Sequence, residues 1–259
     1  MNLQGKTVLI TGASSGIGEA TAKAFSKEGS NLVLIARSSD NLRQVANGLN
    51  TTNLIIPADI TQNETVKHVI DQTLSTFNTI DILINNAGMG LSSFVEEMNV
   101  DDLRKLFELN VFAPLVLTQA VLPSMIASGS GKIINVSSMI TRIVTPGSGG
   151  YRASKLALNG ISDASRYELK KRNIQVVTVY PGLTATDFFK HSLGMKANNN
   201  FTSKLRGRPP KFVAGKIVEA AKKDYREVYM SPISLVSAKF SLLFPALTET
   251  LFKLKPKLK

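Results

Sequence analysis

The sequence predicts an α/β fold built on a parallel sheet, and three observations predict it. Short apolar runs rich in β-branched residues recur along the chain and alternate with stretches of helical period. The first run, 6–11 (KTVLIT), passes straight into a glycine-rich turn, 12–18 (GASSGIG), and then into a helix pattern that runs through Glu28 and stops at Gly29. The 259 residues, 43% of them hydrophobic, suffice for one such domain, 1–259, and show neither an internal repeat nor a second globular unit.

Composition removes several function classes. The chain has no cysteine, which excludes disulfides, thiol catalysis and cysteine metal sites. Its two histidines, His68 and His191, are isolated, so no metal site is expected. No uninterrupted apolar run reaches the ~18 residues of a membrane span. The N-terminus enters a strand without a basic and then apolar leader, so no signal peptide is read and a cytoplasmic protein is expected. The formal net charge of +12 suits nucleic acid, an anionic membrane surface, or anionic substrates and cofactors. No basic-aromatic motif accompanies it, so nucleic acid is not expected. Part of the excess is local, at Lys204, Arg206, Arg208 and Lys211, and at Lys253, Lys255, Lys257 and Lys259.

Strand, glycine-rich turn and helix in succession set backbone N–H groups and a helix N-terminus against a pyrophosphate. Gly12 permits the tight turn, Gly16 lets a phosphate approach the backbone, and Gly18 lets helix and strand pack closely, with Ser14, Ser15 and Ile17 completing the turn. The spacing is G-x-x-x-G-x-G. The second strand is 31–36 (NLVLIA). At its end an NAD site places an acidic residue on the ribose hydroxyl. Here Ala36 is followed by Arg37, Ser38 and Ser39. A carboxylate would repel a 2′-phosphate and a guanidinium binds it, so NADP(H) is expected over NAD(H), with Arg37 and Ser38 in the site.

The third strand, 54–58, ends at Asp59, which with Ile60 suits either an adenine contact or a plain turn; Thr61 and Glu64 read as a capping box for the next helix. The fourth strand, 80–85, leads into Asn86, Ala87 and Gly88, where small residues let the chain pass close to a cofactor. The run 131–138 (GKIINVSS) is a buried strand ending in hydroxyls. Ligands bind outside the carboxyl ends of such strands, so Ser138 should face a site. In 151–155 (YRASK), Tyr151 and Lys155 fall one helical turn apart on one side. A fixed cation beside a phenol favours the phenolate and pulls its pKa down from about 10. The pair could thus act as proton donor and acceptor near neutrality. The sixth strand, 174–180, precedes Pro181 and Gly182, a helix pattern covers 211–223, and 227–230 is the seventh strand.

TGASSGIG (11–18), NNAG (85–88), NVSS (135–138), YRASK (151–155) and PG (181–182) together resemble the short-chain dehydrogenase/reductase family, in its order and spacings over roughly residues 5 to 190. The resemblance implies a Rossmann-type, doubly wound, mostly parallel seven-stranded sheet in three α/β/α layers. It implies a catalytic set of Asn110, Ser138, Tyr151 and Lys155. Tyr151 would exchange a proton with the substrate oxygen and Ser138 would hydrogen-bond it. Lys155 would lower the phenol's pKa and hold the nicotinamide ribose, and Asn110 would hold a water linking Lys155 to solvent. The P-G-x-x-x-T run would lie against the cofactor through Pro181, Gly182, Thr184 and Thr186, with Thr184 standing where relatives often carry Val or Ile. Residues 187–212 would form a substrate lid, and Ser138, Met139, Ile140, Tyr151, Leu183, Phe188 and Phe189 would line an apolar pocket. A homodimer or homotetramer follows by analogy.

The expected function is NADPH-dependent reduction of a fairly apolar ketone or aldehyde to an alcohol. The alternatives are NAD(P)-dependent alcohol oxidation, or a cofactor-binding or membrane-associated protein without turnover. An intact acid and base set argues against the last. The tail 233–259 is apolar with interspersed lysines. It suits either peripheral contact with an anionic bilayer or packing against a partner or the chain's own pocket.

Overall fold

The structure, a computed structural model, describes residues 1–194, 207–244, 246–248 and 250. In chain order it begins with β1 (Thr7–Thr11), α1 (Gly16–Lys27), β2 (Asn31–Ala36), α2 (Ser39–Asn47), β3 (Asn53–Pro57), α3 (Asn63–Phe77) and β4 (Ile82–Asn85). A short β5 (Leu91–Ser92) precedes α4 (Val100–Phe107), a π-helical turn over Glu108–Phe112, and α5 (Ala113–Ala127). Then come β6 (Gly131–Val136), α6 (Gly149–Lys170), β7 (Ile174–Tyr180), β8 (Leu193–Gly194), α7 (Pro210–Lys222), β9 (Glu227–Tyr229) and α8 (Pro232–Leu243).

Seven strands make one sheet in the order β3-β2-β1-β4-β6-β7-β9, and every pairing in it is parallel. β1 and β6 are buried along their whole length, as strands covered on both faces must be. One apolar layer joins the sheet to α1 and α7 through Ala22, Phe25, Val213 and Ile217. The other joins it to α3 and α5 through Val66, Val69, Leu117 and Val121. The strand order reverses between β1 and β4, which opens a crevice at the carboxyl ends of the strands. The continuous helical run Val100–Ala127 is long and apolar enough to cross a bilayer by composition, but here Leu106, Val111, Leu117 and Val121 are buried in the protein.

Several boundaries differ from the sequence expectation, each for a local reason. The fourth strand starts at Ile82, because Asp81 accepts from the Thr7 amide at 2.9 Å and the Lys6 ammonium at 2.7 Å and so clamps β4 to β1 before the ladder begins. The Thr61–Glu64 capping box does not form. Asp59 Oδ1 accepts from the Thr61 amide (3.0 Å) and hydroxyl (2.8 Å), and α3 starts at Asn63 after Gln62 with no side-chain cap. The fifth long strand ends at Val136; the Ser137 amide instead reaches the Val179 carbonyl at 2.8 Å, and Ser138 opens a turn. The last residues of the expected lid, 210–212, belong to α7, and the tail contributes a further helix, α8.

Candidate active site

The glycine turn is shaped by what surrounds it. Gly12 and Gly16 have φ of +64° and +57°, the left-handed region that side chains disfavour. A Cβ on Gly18 would lie 2.0 Å from the Gly12 carbonyl oxygen, so α1 can approach β1 only because that atom is missing. Ser15 caps α1 without a side-chain hydrogen bond, which leaves the helix N-terminus to a ligand. The turn after β4 is stitched to this one. Asn86 Nδ2 donates to the carbonyls of Thr11 (2.9 Å) and Gly12 (3.3 Å), and the Asn86 and Ala87 amides each donate to the Thr11 hydroxyl at 3.0 Å. Asn86 therefore braces the turn through its side chain, a role its sequence position did not reveal.

Arg37 and Ser38 are exposed where β2 gives way to α2. The Ser38 hydroxyl accepts from the Asn41 amide at 3.4 Å and caps α2, so Arg37 immediately precedes a helix N-terminus. Asp59 is exposed and its Oδ1 accepts from Thr61 within the turn, while Ile60 is buried. The positive-φ glycines, the open helix end and Arg37 fit a dinucleotide along the crevice. Among the described residues no cluster of His, Asp or Glu is arranged to hold a metal.

The four residues of the expected catalytic set converge. The Tyr151 phenol hydrogen-bonds the Ser138 side chain. Lys155, one turn along α6, is buried and donates to the Val136 carbonyl at 3.0 Å. Asn110 lies in the π-turn; its Oδ1 accepts from the Met89 amide at 2.9 Å, and its Nδ2 donates to the Met89 carbonyl (2.9 Å) and the Ser154 hydroxyl (3.1 Å). Gly88 fits between them: a Cβ there would sit 3.0 Å from Asn110 Oδ1 and 3.4 Å from Lys155 Nζ.

The expected lowering of the phenol's pKa is not seen, because burial outweighs the nearby cation. Tyr151 keeps part of its ring exposed, but burial around the hydroxyl pushes its pKa up to about 12 against the opposing effect of the Ser138 hydrogen bond. Burial also pulls Lys155 down to about 8, and its ammonium is satisfied by a carbonyl rather than by the phenol. At neutral pH the phenol therefore carries its proton, as a general acid requires. Both amide hydrogens of Asn110 are committed, so a water between it and Lys155 would have to donate to an Asn110 oxygen.

Residues after β7 pack against Tyr151. The Phe188 ring lies 5.7 Å from the Tyr151 ring, and Phe189 meets Phe188 edge-on at 5.6 Å. β8 pairs with β5 and so pins this segment to residues 91–92. The Met139 amide donates to the Pro181 carbonyl at 2.8 Å. Gly182 and Leu183 are exposed, and Arg208 returns along them, donating to the Leu183 carbonyl and accepting from the Ala185 amide, each at 2.9 Å. Thr184 and Thr186 spend their hydroxyls locally, on the Gly182 carbonyl and the Phe188 amide, and the Thr186 methyl lies 3.1 Å from where a Gly16 Cβ would be. Residues 195–206 of the expected lid and 251–259 of the tail lie outside the described residues.

Sequence reasoning missed two supporting networks. Asn85 donates to Asn135 (2.9 Å), which donates to Ser162 (2.8 Å), tying β4 and β6 to the helix that carries Tyr151 and Lys155. Arg142 donates to the Tyr180 hydroxyl (2.9 Å) and to Glu227 (2.8 Å), and Tyr180 also donates to Glu227 (2.9 Å). The lone Asn in each of two apolar strands was the available signal for the first. Nothing local marked the second, whose members are 38 and 85 residues from Arg142.

Comparison with known proteins fits this geometry. The profile of a family described as short chain dehydrogenase matches residues 6–196. A dehydrogenase/reductase SDR family protein 7-like of Anopheles gambiae is 32% identical over 244 residues, 90% of this chain and 77% of that one. An uncharacterized oxidoreductase of Staphylococcus aureus is 37% identical over 185 residues, 71% of this chain and 80% of its own. A Burkholderia phymatum short chain dehydrogenase/reductase, solved in complex with NAD, superposes with a TM-score of 0.87 over 95% of this chain and 96% of that one; at 21% identity it speaks for the fold.

Proposed function

The chain belongs to the short chain dehydrogenase family, and from that premise we propose that it is an NADP(H)-dependent carbonyl reductase acting on a fairly apolar ketone or aldehyde. It is an oxidoreductase of that family, using a nicotinamide cofactor. The observation that carries the finer reading is the protonated Tyr151 phenol bonded to Ser138 beside buried Lys155. The bound nicotinamide supplies the hydride. Ser138 and Tyr151 orient the carbonyl oxygen, Tyr151 gives it a proton, and Lys155 stands ready to share the charge left on the phenol. Arg37 supports NADP(H); the Burkholderia protein holds NAD, and that cofactor is a property of that protein. Phe188 against Tyr151 supports an apolar substrate. Exposed apolar side chains on the helical layer, Phe112, Ile126 and Leu156, support a homo-oligomer.

The test is consumption of NADPH and of NADH with a panel of ketones, aldehydes and quinones. Turnover with NADPH well above NADH is expected. No turnover with any carbonyl, while cofactor still binds, would favour a non-catalytic binder.

A further inference from the structure

All strands of the sheet are parallel, so their carboxyl ends share one edge, and α8 leaves β9 at the same edge as Ser138 and Tyr151. Ser231 caps this helix, accepting from the Ser234 amide at 3.2 Å. Of its residues Ala238 is buried against the body of the protein. The outward face carries Ile233, Val236, Phe240 and Leu243, exposed by 78%, 66%, 38% and 73%. These positions recur at three and four residues and so form one stripe along the helix. Phe244 and Leu247 add exposed apolar surface after it. From Pro232 to the end the sequence carries five lysines (239, 253, 255, 257 and 259) against one acid, Glu249.

The same spacing is the seam of a two-stranded coiled coil. Yet α8 has 12 residues, short of the three or four heptads such a seam needs, and Pro245 follows it closely. A helix of that length spans about 18 Å, too short to cross a hydrocarbon core of about 30 Å. An exposed apolar stripe beside Lys239, in a stretch whose sequence holds five lysines and one acid, fits the surface of an anionic bilayer. We propose that α8 is a peripheral anchor that docks this protein on an anionic lipid bilayer beside the mouth of the candidate site. The anchor does not depend on the reading of the site itself.

The full chain is floated with vesicles of phosphatidylcholine alone and with vesicles that are about one third phosphatidylserine. Wild type should float with the anionic vesicles and be released by high salt. A variant carrying Ile233→Ser, Val236→Ser, Phe240→Ser and Leu243→Ser should lose at least about tenfold in partitioning, with its circular dichroism and its turnover of a water-soluble carbonyl unchanged. A wild type that stays at the bottom of the gradient with both vesicles, or a serine variant that floats as well as wild type, would overturn the proposal. So would a wild-type oligomer that dissociates in the serine variant without any flotation, since a second copy would then cover the stripe. Absence of turnover in both proteins would count against the carbonyl reductase reading, and flotation would still decide the anchor.

Discussion

Replacing Tyr151 by Phe removes one hydroxyl and leaves the ring. The ring contact with Phe188 at 5.7 Å is retained, and the hydrogen bond with Ser138 is lost. A neutral hydrogen bond contributes about 0.5–1.5 kcal/mol, so the fold should lose no more than about that. The same hydroxyl is the acid proposed to protonate a carbonyl oxygen held by Ser138, and general acid catalysis contributes about 10²–10⁴ in rate. Its pKa of about 12 lies above the ordinary phenol value of 10.0, a further cost of roughly 2–3 kcal/mol that charge from Lys155 and the bound ligands must offset when the proton leaves. Steady-state NADPH consumption, cofactor fluorescence and urea unfolding on the same preparation separate these effects. Turnover should fall by at least about a hundredfold, with NADPH affinity within about twofold and stability within about 1.5 kcal/mol of wild type. A Phe variant that keeps more than about a tenth of its turnover would refute the role given to the phenol.

Arg37→Ala should cut the ratio of kcat/KM for NADPH over NADH by about ten- to a hundredfold, the span of a charge-assisted hydrogen bond, and an unmoved ratio would remove the phosphate assignment. Gly18→Ala places a Cβ 2.0 Å from the Gly12 oxygen and should lower the Tm and abolish cofactor binding; a variant that binds NADPH normally would show that the turn can yield. Lys155 is held at about 8 in the fold against 10.5 ordinarily. Below about pH 8 both states carry the proton and the fold bears the full burial cost; between there and about 10.5 only the unfolded chain keeps it, so stability should rise with pH, by up to about 3 kcal/mol. Lys155→Met should flatten that rise in urea unfolding, and a wild-type profile already flat would show the ammonium is not penalised. Lys132→Met should cost about 2–3 kcal/mol in urea unfolding with kcat unchanged, because Lys132 donates to the carbonyls of Ala220, Ala221 and Lys223 where α7 ends; unaltered stability would mean water replaces it.

The sheet was legible because each buried strand is a short β-branched run, and 174–180 matches its strand residue for residue. The glycine turn was legible because φ near +60° at Gly12 and Gly16 favours glycine, and a Cβ on Gly18 would lie 2.0 Å from a carbonyl oxygen. Tyr151 and Lys155 were legible as one helical turn, and what sequence could not supply was the medium around them. Whether a cation acidifies a phenol depends on how much water each has lost, and here burial outweighs proximity. Asn86 and Asn110 show the same limit. Their positions were found and their side-chain partners, 21 to 75 residues away, were not. The helix at 232–243 escaped notice because its apolar stripe faces outward and only Ala238 is buried, so no core-facing pattern marks it.

The bridge from Arg142 to Glu227 bears on how this protein can be shortened. Arg142 sits four residues beyond Ser138, and its guanidinium is largely enclosed, with only 17% of the side chain exposed. Cutting the chain before Glu227 would strand that cation without its carboxylate, a loss worth several kcal/mol, and would free the segment that bears the serine. A trimmed form meant to lack only the final helix should therefore retain everything through Met230, and a trim a few residues deeper would cripple the reaction from the far margin of the sheet.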